Sequence, residues 1–146
     1  KANSEKLDKY CYFSRRSISK QHYTDKSHFQ WLLYSNLLLM QHALKRMILY
    51  SIQSKKKISP PLASLIGYLE PYFTTFYEAY FQKDLKKLAE VNIQGEKMLY
   101  RDIYHLLEQK KEGVTLYHLG EFVRLVLISG SPVVGSLLEY SEERIS

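Results

Sequence analysis

The sequence predicts an all-α, antiparallel helical bundle. Apolar residues recur at a helical period along most of its 146 residues. Only 6 Gly and 4 Pro interrupt them, too few for an all-β chain of many tight turns. A composition of 45% hydrophobic and 25% charged residues belongs to a chain with a core, not a disordered one. The length suits one domain.

Each element has its own signal. Glu5 to Ile18 places Leu7, Tyr10, Cys11, Phe13 and Ser14 at a spacing that suggests the end of a helix. Phe29, Leu32, Leu33, Asn36, Leu37, Met40, Ala43, Leu44, Met47 and Ile48 form the stripe of an amphipathic helix over 28–53. Asp25 or Ser27 caps its start. Lys55, Lys56 and Lys57 suit the negative end of its macrodipole. Ser59-Pro60-Pro61 opens a helix over 60–82, with Ser59 as N-cap and proline tolerated in the first turn. Pro71 is expected to kink or restart it. Asp84 reads as the N-cap of a helix over 84–111, closed by Gly113 as its C′ residue. Leu116, Leu119, Phe122, Val123, Val126 and Leu127 begin a last helix over 115–141, weakened in the middle by Gly130-Ser131-Pro132. Trp31 and Phe122, at matching places in the two long apolar helices, are both expected in the core.

The order of elements repeats. Slid so that Glu5-Lys6-Leu7 falls on Glu96-Lys97-Met98, the chain sets Lys20 on Lys111, Thr24 on Thr115 and Trp31 on Phe122. The identities are few, and the signal lies in the repeated order.

Composition narrows function. Lys+Arg 21 against Asp+Glu 15 gives +6, an excess that permits an acidic partner without demanding one. The one cysteine, Cys11, excludes an internal disulfide framework and a Cys-based zinc site. The chain opens on Lys1, so its natural start is expected to lie upstream. Its first stretch is too polar for a signal peptide. Phe122 to Leu138 carries Arg124, Gly130, Pro132 and Gly135 and falls short of the ~20 apolar residues of a membrane span. The expected location is cytoplasmic.

Catalytic patterns are missing. His22, His28, His42, His105 and His118 form no i, i+4 pair, and there is no HExxH, Walker loop, GxGxxG or GxSxG. A lone Cys11 on an aromatic-rich face reads as a small buried hydrophobe. Asp8 and Glu5 share a face, as half of a hard-cation site would. Glu96 and Asp102 lie on different faces, and Glu142 and Glu143 sit in the tail. Arg15-Arg16, Lys55-Lys56-Lys57, Lys83/Lys86/Lys87 and Lys110-Lys111 lie at helix ends or linkers, where they serve solubility or touch phosphates. Tyr68, Tyr72, Tyr77 and Tyr80 surround one helix; most should bury the ring and keep the hydroxyl near water.

Read in order, the chain resembles the C-terminal part of the archaeal-type PhoU family, phosphate-uptake regulators built of two tandem three-helix repeats. Glu5 to Arg16 resembles the family's acidic second helix, which ends in an aromatic residue and an Arg. Residues 28–53 resemble the third helix, Pro61 to Gln82 the fourth, Gly95 to Gln109 the fifth and Thr115 to Glu143 the sixth. The resemblance implies residues 1–57 as the end of a first repeat lacking its first helix, and 58–146 as a complete second repeat. Family members bind metal clusters through repeated acidic positions. Asp8 falls on one such position, and Glu96 or Leu99 on its equivalent. Lys45-Arg46 and Pro132-Val133 stand where an Asp and a His belong, and Glu139 alone keeps an acid. A lysine opposes a metal by charge. The resemblance therefore carries the fold and a non-enzymatic adaptor role, with no catalytic, cofactor-binding or metal residue expected. The expected partner is a transporter or sensor protein, docked on a bundle face; a homodimer is compatible. Nucleic acid is expected to bind only weakly and electrostatically. The alternative is a basic, nucleic-acid-associated helical subunit.

Overall fold

In the computed structural model, residues 2–20, 25–55, 57–109 and 112–142 are described, the side chains of 2, 4, 25–27 and 136–142 excepted. All regular elements among them are helical: α1 (Ala2–Lys20), α2 (Asp25–Ser54), α3 (Pro60–Gln82), α4 (Leu85–Glu96), a π-helical segment (Lys97–Ile103), α5 (Tyr104–Glu108) and α6 (Gly113–Glu142). The helical bundle is as expected. No helix among the described residues is long and apolar enough to cross a membrane.

α6 is the centre. It packs against α2 on one side and against α4, the π segment, α5 and α3 on the other. Its residues Leu116, Leu119, Phe122, Val123, Leu125, Val126 and Val133 are accordingly buried round much of the helix. α2 has two buried faces. Leu33, Asn36, Met40, Ala43 and Met47 recur three and four apart and face α6, while Leu38 lies on the opposite side, under α1. Among the described residues, the packing of α1 is chiefly on α2.

Local chemistry explains the ends. Asp84 caps α4 as predicted, its carboxylate accepting from the backbone N–H groups of Lys86 (2.9 Å) and Lys87 (3.1 Å). Lys83, at φ 56, turns the chain, and Asp84 N–H returns to Ala79 C=O at 3.0 Å. Lys87 Nζ then ties α4 to α3 through Glu78 (2.6 Å) and Gln82 (2.9 Å).

Several expectations change. Ser59 stands at the N-cap of α3 but makes no capping bond with its side chain. Its hydroxyl and N–H donate instead to the Glu112 carboxylate, at 2.6 and 2.8 Å, tying the start of α3 to the start of α6. Pro71 neither breaks nor restarts α3. Both it and Gly67, whose C=O loses its partner, are exposed, so water can serve that carbonyl. α6, expected to continue past Pro132, does so as one helix. Gly113 opens α6 rather than closing the preceding helix, and Glu112 takes the positive φ (55) of the junction. Phe122 is core, but Trp31 is only half-buried: it faces α1, and the Arg15 guanidinium lies over its ring at 4.6 Å. The proposed caps Asp25 and Ser27, together with Lys56, Lys110 and Lys111, fall outside the described residues or side chains.

Two glycines allow close approach. A Cβ on Gly95 would meet the Tyr72 hydroxyl and come within 2.8 Å of Leu127 Cδ2. One on Gly135 would lie 2.5–2.7 Å from the Phe29 ring, where α2 and α6 pack. Nearby, Asn36 Nδ2 donates to Ser129 Oγ at 3.0 Å, and that hydroxyl donates to Leu125 C=O at 2.7 Å. This chain satisfies two buried polar side chains at the α2–α6 seam.

Candidate functional site

Among the described residues, those picked out for metal do not assemble into a site. Asp8 is paired with His42 Nε2 at 3.2 Å across the α1–α2 seam. Glu96 is exposed, and Leu99 is a core residue. Lys45 and Arg46 are exposed, and Pro132 and Val133 are buried. The Glu139 side chain lies outside those described. Among the described residues no group of three His, Cys, Asp or Glu could hold a metal ion. Cys11 is buried, as expected, and burial, then the Asp8 charge, pushes its thiol up, away from a reactive thiolate. His22 lies outside the described residues.

The chemistry of the surface concentrates on the two flanks of the π segment. A π turn adds residues to the helical circuit. On one flank, facing α6, Tyr104 and Tyr117 stand over a groove of about 110 Å³ with Leu99, Ile103, Leu107 and Leu116 beneath. Tyr100 joins them, its ring edge-on to Tyr104 at 5.5 Å. All three tyrosines are largely exposed. Arg124 and Glu121 close the rim in a two-point pair, with Nη2 to Oε1 at 2.6 Å and Nε to Oε2 at 3.2 Å. The Arg124 hydrogen bond holds the Glu121 carboxyl below its usual range. Next to Tyr117, burial and then the Arg46 charge hold the His118 imidazole down, favouring its neutral form. Gly120 leaves the groove floor open between the two helices.

The other flank faces α3. There α3 packs on α4 but separates from α5, and two adjoining recesses of about 250 and 470 Å³ open between them. Lys97, Arg101 and His105, four residues apart, line them from the helix; Ser64, Leu65, Tyr68 and Pro61 line them from α3. Asp102 is the one acid in the lining, and it accepts from Arg101 Nε at 2.9 Å.

Neither flank brings a nucleophile to a base. Both offer shaped surface, aromatic on one side and cationic on the other. The tyrosines singled out in the sequence lie on α3 instead. Tyr68 and Tyr77 are exposed, Tyr80 is half-buried, and Tyr72 is wholly buried with its hydroxyl unpartnered. Tyr100 and Tyr104 carried a usable signal, an i, i+4 aromatic pair. Tyr117 comes from another helix, and only the fold brings it to them. In comparisons with known proteins, the chain matches no family model, no curated protein and no solved structure.

Proposed function

We propose that this chain is a regulatory adaptor that does no chemistry of its own and holds a protein partner through the tyrosine groove beside α6. The observation that carries the reading is the exposed trio Tyr100, Tyr104 and Tyr117, with the Arg124–Glu121 pair, around an apolar floor. Tyr and Arg dominate binding hot spots because they bury much area with little side-chain entropy lost and keep a polar end for the rim. The order of helices resembling the PhoU family supports a cytoplasmic role in archaeal phosphate-uptake regulation, with a transporter or sensor component as partner.

The test is site-specific photo-crosslinking from position 117 in the native host, beside Tyr100→Ala and Arg124→Ala variants checked for helicity. One adduct that disappears in both folded variants supports the reading. An adduct with the chain itself, and a concentration-dependent mass in light scattering, identifies the partner as a second copy. The nucleic-acid alternative takes the place of the adaptor if a random single strand binds below micromolar at near-physiological salt and loses affinity with the tyrosines rather than the lysines.

A further inference from the structure

The tyrosine groove leaves the opposite flank of the π segment unused, and its character is different. The wedge between α3 and the π segment is open, and Lys97 and Arg101 outnumber its one acid, Asp102. Lys97, Arg101 and His105 succeed one another at four-residue intervals along the π segment and into α5. In an α-helix such a row drifts in one sense round the axis and in a π turn in the other, so a helix that combines the two keeps the row in one groove. The opposing wall from α3 is uncharged, formed by Ser64, Leu65 and Tyr68. Asp102 accepts from Arg101 Nε, and the two Nη groups, the fork that matches a carboxylate, have no hydrogen bond among the described residues. Lys97 has no ion pair among the described residues.

We propose that this wedge docks an acidic, extended peptide segment of a protein partner. An extended strand turns alternate side chains to one face, so its acidic positions can all face the helix that carries Lys97 and Arg101 while the others face α3. Carboxylates at alternate positions therefore meet Lys97 and Arg101 in succession, and an intervening apolar side chain reaches Leu65. The openness of the recesses suits a chain passing through rather than a small molecule enclosed. The site is separate from the tyrosine groove, and the two can fail independently.

The probe is a fluorescein-labelled peptide alternating Glu and Leu over about six residues, titrated by anisotropy against the full chain at near-physiological salt. Binding is expected, with affinity reduced at least about tenfold, or ~1.4 kcal/mol, in Lys97→Glu/Arg101→Glu. Ser64→Trp, which fills the wedge without changing its charge, should reduce binding similarly. Tyr100→Ala and Tyr117→Ala should leave it unchanged; a loss there instead would move the peptide to the other groove and overturn the proposal. Undetectable binding at millimolar peptide overturns it too, as does equal binding of a Gln/Leu peptide or of the charge-reversed variant. A single-stranded oligonucleotide of equal charge that displaces the peptide and binds more tightly assigns the wedge to nucleic acid. Circular dichroism of each variant confirms that helicity is retained, which these exposed positions permit.

Discussion

Tyr72→Phe should make the protein more stable. Tyr72 is 0% exposed, and its hydroxyl has no hydrogen-bond partner. A buried, unpaired hydroxyl costs about 1–3 kcal/mol relative to its hydrated state in the unfolded chain. The same burial pushes the phenol well above its ordinary pKa. Phenylalanine keeps the ring and removes the cost; the oxygen-sized void it leaves should subtract only a few tenths of a kcal/mol. The net gain is about 1 kcal/mol, or some 2–4 °C in Tm for a chain of this size. Gly95 supplies a second, coupled perturbation, because a Cβ there meets that hydroxyl and Leu127. Gly95→Ala gains about 1 kcal/mol of helix propensity and loses about 1–3 to overpacking, so it should destabilise slightly or be neutral. With the hydroxyl gone, the alanine has fewer atoms to displace. The double variant should therefore exceed the sum of the singles by about 0.5 kcal/mol or more. Urea unfolding followed by circular dichroism gives all four corners of the cycle. A lower midpoint for Tyr72→Phe, or strict additivity, would refute the account of an unpaired hydroxyl pressed against Gly95.

Asp84→Ala removes two backbone acceptor bonds at the start of α4 and should cost ~1 kcal/mol in the same assay, with Asp84→Asn close to neutral. Phe122→Ala should cost about 3–5 kcal/mol; Trp31→Ala should cost clearly less, since Trp31 is half-buried, and a reversed order of midpoints would contradict the assigned faces. His118 has a folded pKa below its unfolded value near 6.5, so protonation favours the unfolded chain. Its contribution is present above about pH 6.5 and lost as pH falls through the folded value; the unfolding midpoint should drop across that window, and less so in His118→Gln.

The long helices α2, α3 and α6 were legible because each buries a stripe of its own sequence, and the Asp84 cap because one side chain makes it. What escaped depends on neighbours. Pro71 read as a kink or a restart, yet it costs α3 only one N–H donor while packing holds the rest of the helix in line. Trp31 read as core because α2 is apolar in period, but α2 has two covered faces, and Trp31 lies on the shallower one, beneath α1. The π segment has no marker in Lys97–Ile103, which reads as ordinary amphipathic helix. The sequence showed a surplus of tyrosine but not its site, since Tyr117 reaches Tyr104 only once α5 and α6 pack. Likewise, Lys97, Arg101 and His105 form a row in the sequence, but the wedge they line exists only because α3 diverges.

The position of α1 at the edge has a kinetic consequence. A helix held chiefly by one neighbour can open without disturbing the rest of the bundle, and such opening lies below the global unfolding free energy. Its seam with α2 rests on small and polar partners, Cys11, the Asp8–His42 pair and Arg15 over Trp31, rather than on a run of large apolar side chains. Amide exchange in α1 should therefore outpace that in α6. Cys11 is buried on the inner face of this helix and is the sole thiol of the chain, so it becomes a clock for the event: its rate of modification by a soluble thiol reagent counts openings of α1, while the core around Val123 and Val126 stays closed.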